Sequence, residues 1–107
     1  MSESAPPGYR QIAAVFNRVA TGYDATYGPG GNRMMRWLRR ENLATLQATF
    51  PPGSRLLEIG CGTGEEALHL ARAGYTILAT DISPAMVAQT AAKARAAGLE
   101  ARLSALV

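Results

Sequence analysis

The stretch "LLEIGCGTG", residues 56–64, constrains the fold of this chain more than any other part of its sequence. An apolar run stops at an acid and passes directly into three glycines, each separated from the next by one residue. Apolar runs of this length are typical of buried strands, and glycine-rich turns occur where the backbone needs positive φ angles or approaches a ligand closely. A helical pattern follows at once. The stretch therefore predicts a strand, a tight turn and a helix whose N-terminus faces the end of the strand.

The second half of the chain continues this alternation of strands and helices. The predicted elements are a strand over 55–59, a helix over 63–73, a strand over 75–80, a helix over 84–97 and a strand over 100–107. Ser83 is expected to cap the second of these helices, with Pro84 at its first position. Short strands that alternate with helices predict an α/β fold with a Rossmann-like, doubly wound parallel sheet. Ligands of such sheets bind at the carboxyl ends of the strands.

The first half of the chain reads as helical. Residues 1–8 are polar and rich in proline, which predicts a disordered lead-in; residues 9–53 predict a helical segment, and residues 54–107 a sheet-forming half-domain. A stripe of apolar residues at helical spacing predicts a helix that ends near Thr21 and Gly22. The stripe consists of Ile12, Val15, Phe16 and Val19. "YDATYGPGGN", residues 23–32, predicts a loop, after which Asn32 caps a helix that runs to about Thr49.

Composition narrows the class of protein. The chain has 107 residues, 48% hydrophobic and 18% charged, which is typical of one soluble domain. Its charge of +3 comes mainly from the first half, where four arginines share a helix with apolar residues: Arg33, Arg36, Arg39 and Arg40. Since no base-reading motif accompanies them, they predict a solvated helix face and no nucleic-acid partner.

Cysteine usage and hydropathy point to a soluble protein of the cytoplasm. The single Cys excludes an internal disulfide and, with the single His, excludes a zinc site of the usual ligand count. The chain shows no secretory leader pattern and no apolar stretch near the ~18 residues that span a bilayer. No metal and no membrane partner is therefore expected, and the predicted location is the cytoplasm.

Three classes of ligand use a glycine-rich turn of this kind. The phosphate loop of nucleotide hydrolases ends in Gly-Lys-Ser/Thr, whereas Gly64 is followed here by Glu65 and Glu66. The dinucleotide fingerprint needs glycine at position 65, which is Glu here, and carboxylates at the start of the helix would repel a pyrophosphate. One feature favours a dinucleotide: Asp81 follows Gly60 at about the 20 residues expected of a ribose-binding acid. The remaining class of ligand has a ribose, no phosphate and a positive charge.

"LLEIGCGTG", together with "TDIS" at residues 80–83, resembles the first two motifs of class I S-adenosylmethionine-dependent methyltransferases. Glu58, Gly60, Gly62 and Gly64 match the family's acid-x-G-x-G-x-G pattern, and Asp81 matches the acid after the second strand. Upstream, "VFNRVATGYD" resembles the helix and Tyr-Asp turn that precede the core in small-molecule methyltransferases of this class. The resemblance covers roughly residues 12–107, the front half of the family's domain. It implies S-adenosyl-L-methionine as cofactor, which meets the three requirements above.

The resemblance implies a place for the turn residues. Gly60, Gly62 and Gly64 would lie against the methionine part of the cofactor, with backbone groups at Gly60 and Cys61 near its amino and carboxyl ends. Glu58 would orient the loop and favour the cationic end of the ligand. The alternative is a tight turn without a ligand, closed by an acid at the end of a strand.

It also implies a place for four residues outside the turn. Asp81 would accept hydrogen bonds from the ribose hydroxyls, Ile82 and Met86 would pack against the adenine, and Tyr23 would close over the cofactor. Each also has a simpler interpretation: a helix-capping acid for Asp81, ordinary core packing for Ile82 and Met86, and a surface aromatic for Tyr23. Cys61 and His69 lack partners at suggestive spacing, so neither is assigned a chemical role, and the catalytic residues stay unknown.

The chain is short for the family it resembles. A class I methyltransferase sheet has seven strands, and this sequence accounts for the first three, so we expect a truncated domain. The family pairs its fourth strand with the first, which leaves the strand over 55–59 with an open edge here. We therefore expect a homo-oligomer or a complementing chain at that edge.

The function implied is transfer of a methyl group from S-adenosyl-L-methionine to a small-molecule acceptor, with little activity from this chain alone. Two alternatives stay open. One is a non-catalytic module that binds the cofactor or a partner through the open strand edge. The other is an NAD-dependent dehydrogenase half, which Glu65 disfavours. The acceptor and the methylated atom are not encoded in these residues.

Overall fold

The computed structural model describes residues 7–27 and 32–107. Its helices and strands, in chain order, are α1 (Pro7–Val19), a 3₁₀ turn (Ala20–Gly22), α2 (Tyr23–Tyr27), α3 (Arg33–Thr49), β1 (Arg55–Ile59), α4 (Glu65–Arg72), β2 (Thr76–Thr80), α5 (Pro84–Ala96) and β3 (Leu103–Leu106). The helical first half and the alternating second half were both predicted.

The three strands form one parallel sheet in the order β1-β2-β3. Arg55 of β1 is level with Thr76 of β2, and Ile77 of β2 with Leu103 of β3. Parallel neighbours joined by helices are what the alternation of patterns predicted, so the Rossmann-like α/β class is confirmed. The carboxyl ends of β1 and β2 therefore meet at one edge, where the glycine turn and Asp81 follow them.

One face of the sheet carries the core. Ile77 and Ala79 alternate inward along β2 and are 2% and 0% exposed. They pack with residues of α4, α5 and β3 in one cluster that includes Ala71, Ala94 and Leu103. The opposite face of the sheet is open among the described residues, where Leu57 and Ile59 are 63% and 83% exposed.

Helix α3 lies beside this core. Its Leu43 and Leu46 pack against the cluster, and Asn32 caps it as predicted, since the Asn32 Oδ1 accepts a hydrogen bond from the Met35 N–H at 2.8 Å. At its far end, the hydroxyl of Tyr75 donates to the carbonyl of Phe50 at 2.7 Å. No helix within residues 7–27 or 32–107 is long and apolar enough to cross a membrane.

The structure corrects the predicted first half at two places. Helix α1 begins at Pro7, so the last two residues of the expected lead-in over 1–8 are helical; proline suits a first helical turn because it lacks only a donor that would be free there. Residues 1–6 lie outside the described part of the chain. Residues 23–27 form α2 rather than the start of a loop, and residues 28–31 of that predicted loop also lie outside the description.

Two boundaries in the second half differ from their predicted positions by more than one residue. Helix α4 begins at Glu65 instead of 63, because Gly64 takes the left-handed conformation with φ 86° and interrupts the helical backbone before it. Strand β3 begins at Leu103 instead of 100. The N–H groups of Arg102 and Leu103 both donate to the Leu99 carbonyl, which folds residues 99–102 into a turn.

Candidate functional site

The glycine turn is bound to the end of β2 by backbone hydrogen bonds. The N–H groups of Gly60 and Cys61 both donate to the Thr80 carbonyl at 2.8 Å, and the Thr80 hydroxyl donates to the Glu58 carbonyl at 2.9 Å. Gly62 has φ 57°, a left-handed conformation that side chains other than glycine rarely adopt. The turn is thus held at the point where β1 and β2 end.

Thr90 supports the turn from helix α5. Its fully buried hydroxyl donates to the Gly62 carbonyl at 3.0 Å and lies 3.6 Å from the Cys61 Sγ. A Cβ placed on Gly64 would lie 2.6 Å from the Thr90 side chain, so Gly64 must be glycine both for its φ and for this contact. Thr90 was not among the site residues predicted from the sequence. The available signal was a lone threonine in an alanine-rich helix that follows a glycine turn.

Asp81 reaches the turn directly. Its Oδ2 accepts a hydrogen bond from the Gly62 N–H at 2.9 Å, and its Oδ1 accepts one from the Ser83 N–H at the same distance. Ser83 caps α5 as predicted, since its Oγ accepts from the Met86 N–H at 3.2 Å. The acid after β2 and the turn after β1 therefore form one hydrogen-bonded unit.

Two cavities flank this unit. One, here called the β2-side cavity, has a volume of about 460 Å³ and is lined by residues that include Asp81, Ile82, Met86, Phe16 and Ile59. The other, the α3-side cavity, has about 500 Å³ and lies between α3, the end of β1 and the start of α4. Tyr23, Gly60 and Gly62 line both cavities. The Tyr23 ring is close to the turn, since its Cε1 would be 3.9 Å from a Cβ on Gly62.

The nine predicted site residues fall around these cavities, with one exception. Asp81, Ile82 and Met86 line the β2-side cavity, and Glu58 and Cys61 line the α3-side cavity. Gly64 lines neither and serves the turn through its contact with Thr90. Met86 is only 1% exposed, so it also belongs to the packed interior. Their roles toward a cofactor stay predictions.

A charged network places α2 beside the turn. Asp24 accepts hydrogen bonds from the Thr63 hydroxyl and, at 2.6 Å, from the Lys93 Nζ, which also lies 2.6 Å from Glu65 Oε1. Burial opposes the charge on Asp24, but the hydrogen bonds from Lys93 and Thr63 outweigh it and lower the pKa of Asp24. The network joins α2, α4 and α5 next to Tyr23. The network was not predicted from the sequence, because its members lie far apart in the chain.

Asn17 provides a second link between the N-terminal helices and the site. Its Oδ1 accepts hydrogen bonds from the Ser83 hydroxyl at 2.5 Å and from the Ala85 N–H at 3.0 Å. These two donors belong to the start of α5, directly after Asp81 and Ile82. Helix α1 is therefore attached to the loop that carries the predicted ribose and adenine contacts.

Charges in the α3-side cavity are only partly compensated. Burial, with the nearby carboxylates of Glu66 and Asp81, raises the pKa of Glu58 to about 7. Arg39 donates from Nε to Glu66 Oε1 at 3.0 Å, and its side chain is 15% exposed. The prediction of a wholly solvated arginine face is thus wrong for Arg39, although Arg33, Arg36 and Arg40 are exposed.

Cys61 and His69 contribute no reactive group to this arrangement. Burial raises the pKa of the Cys61 thiol, which disfavours the thiolate that acts as a nucleophile. His69 lies on the exposed side of α4. Within the described ranges, no three His, Cys, Asp or Glu side chains form a group suited to a metal ion.

Comparison with known proteins gives the same assignment as the geometry. A family model described as a methyltransferase domain matches residues 56–106. A demethylmenaquinone methyltransferase of Beutenbergia cavernae is 37% identical over 78 residues, which are 73% of this chain and 32% of that protein. The chain spans about a third of the length of the first curated relatives it matches.

Solved structures are also similar to this chain. A methyltransferase of Geobacter sulfurreducens, crystallised with S-adenosyl-L-homocysteine, is 33% identical with a TM-score of 0.54, covering 62% of this chain and 28% of that one. The cyclase SpnF is 26% identical with a TM-score of 0.78, covering 98% of this chain and 44% of that one. With the glycine turn, the acid after β2 and the parallel sheet in place, these matches show that the chain belongs to the class I S-adenosylmethionine-dependent methyltransferase family.

Proposed function

We propose that this chain is the cofactor-binding part of an S-adenosylmethionine-dependent methyltransferase that acts on a small molecule. The observation that carries the proposal is the hydrogen bond of 2.9 Å between the Gly62 N–H and Asp81 Oδ2. It joins the two family motifs at the edge of the β2-side cavity. The methyltransferase family match over residues 56–106 supports the same proposal.

The residues present suit S-adenosyl-L-methionine. Each Asp81 oxygen accepts one backbone hydrogen bond and keeps a second lone pair, so the carboxylate has capacity for the two hydroxyls of a ribose. Ile82 and Met86 line the same cavity and offer apolar surface to an adenine. Gly62, without a side chain, leaves space beside Tyr23, whose Cε1 would lie 3.9 Å from a Cβ at this position.

The chain's own residues would act by holding two reactants in place. The bound cofactor supplies a methyl group activated by a sulfonium. Asp81 and the glycine turn fix the position of the nucleoside, and Tyr23, at the junction of the two cavities, excludes water from the turn. Positioning of this kind is a large part of catalysis for a direct displacement. A small-molecule acceptor is supported by the relatives named as demethylmenaquinone methyltransferases.

The dehydrogenase alternative receives no support from these comparisons, but one argument against it changes. Glu65 was expected to repel a pyrophosphate from the start of α4. Its carboxylate instead binds Lys93 at 2.6 Å and is largely buried, so that its charge is compensated. The family match, together with the missing third glycine of the fingerprint at position 65, is what disfavours NAD.

Calorimetric titration with S-adenosyl-L-homocysteine, and separately with NAD, tests the proposal. We expect the first ligand alone to bind, and Asp81→Ala to weaken its binding by about 1–3 kcal/mol, the usual cost of losing a buried polar contact. Glu100→Ala, at an exposed position, is the control and should bind like the wild type. Thermal unfolding of both variants shows that they remain folded. Binding of NAD in preference would contradict the proposal.

We further propose that the protein works in the cytoplasm and that further polypeptide covers β1. Within residues 7–27 and 32–107, β1 pairs with β2 on one side only. Its outward Leu57 and Ile59 are exposed on the open sheet face, with Leu78 beside them. A second copy or a complementing chain would satisfy this edge. The alternative function, a module that binds the cofactor without catalysis, would use the same open edge of β1. It differs from a methyltransferase in that covering this edge with a second chain would produce no methyl transfer.

A further inference from the structure

The start of helix α5 is capped from two parts of the chain. Pro84 has no N–H to satisfy, and the N–H of Met86 donates to the Ser83 hydroxyl at 3.2 Å. The N–H of Ala85 donates instead to Asn17 Oδ1 on helix α1, at 3.0 Å. One cap of this helix is therefore local, and the other comes from a residue 68 positions earlier.

Asn17 also binds the hydroxyl of Ser83. The Ser83 Oγ donates its proton to Asn17 Oδ1 at 2.5 Å, and its lone pairs stay available for the Met86 N–H. Ser83 is completely buried, so solvent does not readily replace Asn17 as the acceptor at this hydroxyl. The Ala85 N–H can only donate, which identifies the oxygen of the Asn17 amide as the atom that faces α5.

The backbone of Ser83 in turn holds Asp81. The Ser83 N–H donates to Asp81 Oδ1, and the Gly62 N–H donates to Asp81 Oδ2, both at 2.9 Å. A continuous series of hydrogen bonds therefore joins Asn17 on α1 to the glycine turn. Asp81 and Phe16 line the β2-side cavity, and Asn17 does not. Asn17 would thus affect a ligand in this cavity through its neighbours, without touching it.

We propose that Asn17 is a positioning residue for nucleoside binding: by fixing Ser83, it holds the Asp81 carboxylate in the orientation that accepts the ribose hydroxyls. This inference rests on the proposed function, since it assumes a ligand with a ribose at Asp81. It gives helix α1, which lies outside the glycine turn and the acid after β2, a share of the affinity for the nucleoside. Asn17 was not among the predicted site residues, because only the fold brings it to Ser83, 66 positions away.

Calorimetric titration of the full chain with S-adenosyl-L-homocysteine tests this role. Leucine is close to asparagine in size but has no acceptor, so we expect Asn17→Leu to weaken binding by about 3- to 10-fold, the range for one hydrogen bond. Asn17→Asp keeps an acceptor oxygen at the same place and should restore most of the affinity. Gln11→Leu, which replaces an exposed amide on the same helix, is the matched control and should bind like the wild type.

A double-mutant cycle separates positioning from a general effect on the fold. If Asn17 acts through Asp81, Asn17→Leu should cause no further loss of affinity in a chain that already carries Asp81→Ala. Thermal unfolding checks that each variant is folded, and Asn17→Ala replaces the leucine variant if that one unfolds. An equal loss in both backgrounds, or no loss in the wild-type background, would overturn the role of Asn17 and leave the proposed function standing. A wild-type chain that does not bind the ligand would overturn both.

Hydrogen exchange of the unliganded chain gives a second measurement. In Asn17→Leu the amide of Ala85 loses its acceptor and should exchange faster whether or not Asn17 positions Asp81. The amides of Gly62 and Ser83 bond to Asp81, so we expect them to exchange faster only if Asn17 also holds that carboxylate. Unchanged exchange at Gly62 and Ser83 would show that Asn17 attaches α1 to α5 and nothing more, which would overturn the proposal.

Discussion

At the scale of single residues, the close packing of Gly64 against Thr90 supports the glycine turn. Thr90 is fully buried, and its hydroxyl serves both the Gly62 carbonyl and the neighbouring Cys61 thiol. A buried hydroxyl is costly unless such partners are present. Glycine at position 64 lets α5 approach closely enough to provide them. The family's third glycine is therefore a packing residue here, and not a lining residue of either cavity.

Replacing Gly64 by alanine tests this contact. The new Cβ would lie 2.6 Å from Thr90 with φ held at 86°, so we expect a loss of about 2–4 kcal/mol in the free energy of unfolding, from overpacking and backbone strain together. Gly53→Ala is the control, because Gly53 has φ 82° but nothing within 4 Å of the added Cβ. Urea denaturation measures both. Equal losses would show that backbone strain alone is responsible.

Glu58 should make stability depend on pH. Burial and neighbouring carboxylates raise its pKa from 4.5 to about 7 in the folded chain. Between these two values the folded chain holds a proton that the unfolded chain has released, so this contribution to stability is present below pH 4.5 and is lost as the pH rises through 7. Glu58→Gln should abolish this fall. Urea denaturation from pH 4 to pH 8 measures it, with the exposed Glu100→Gln as control. Parallel pH profiles for wild type and Glu58→Gln would contradict this assignment.

At the scale of elements, α2 depends on a few charged contacts. Its five residues hold Tyr23 beside Gly62, and Asp24 joins the helix to the sheet domain through its contacts with Thr63 and Lys93. Lys93 also pairs with Glu65, so the same cation compensates an acid on α2 and an acid on α4. Replacing Asp24 should therefore affect the position of Tyr23 more than it affects the sheet.

Asp24→Asn tests that dependence. The amide keeps the size of the side chain but loses the charge that pairs with Lys93, so we expect α2 to open more easily by about 1 kcal/mol while the sheet is unaffected. Hydrogen exchange should accelerate for the amides of residues 23–27 and stay unchanged in β2. The nuclear Overhauser contact between Tyr23 and Gly62 should weaken. Glu41→Gln, exposed on α3, is the control; unchanged exchange in α2 would show that other contacts hold it.

The sequence predicted elements well where the pattern is local. The bounds of β1, β2, α3 and α5 were predicted to within a residue or two. The apolar runs and the glycine turn indicated the strands, and the caps Asn32 and Ser83 indicated the helices. The missed features are contacts between distant positions, such as Lys93 with Asp24 or Asn17 with Ser83. A short helix such as α2 has too few residues for a periodic pattern. Its place depends on Asp24, whose partners only the fold brings near.

The site shows the same division between local pattern and distant contact. Motif spacing located Gly60, Gly62 and Asp81, because parallel strands place their carboxyl ends together. Arg39 was predicted to face solvent, since a helix of alternating arginines and apolar residues does not reveal which arginine meets Glu66. Arg39, which lines the cavity, and the solvated Arg40 are adjacent on α3 and differ in direction by only about 100° around the helix axis. Only the packing of α3 against the core distinguishes them.

At the scale of the whole molecule, the open face of the sheet determines how we expect the chain to associate. Leu57, Ile59 and Leu78 form an apolar row on it, and the backbone of β1 has one side without a strand among the residues described. An exposed edge strand with apolar side chains of this kind promotes association. The isolated chain should therefore show an apparent mass that rises with concentration, unless it is given a complementing chain.

Leu57→Lys should reduce that association. Leu57 is 63% exposed in the middle of β1, so a lysine there adds a charge to the open face without disturbing the core. Size-exclusion chromatography with light scattering over a range of concentrations measures the apparent mass. Ala88→Lys, exposed on α5, is the control for added charge elsewhere. A wild-type chain that is monomeric at every concentration would contradict an interface at β1.

The strand order β1-β2-β3 has a consequence for synthesis, since it repeats the order of the chain. Each strand pairs with the one that left the ribosome before it, across a single intervening helix. Pairings between near neighbours in sequence form early, because little chain entropy is lost in closing them. We therefore expect the edge proposed to bind the nucleoside to be assembled on the nascent polypeptide as soon as α5 emerges, while the outer side of β1 is still open.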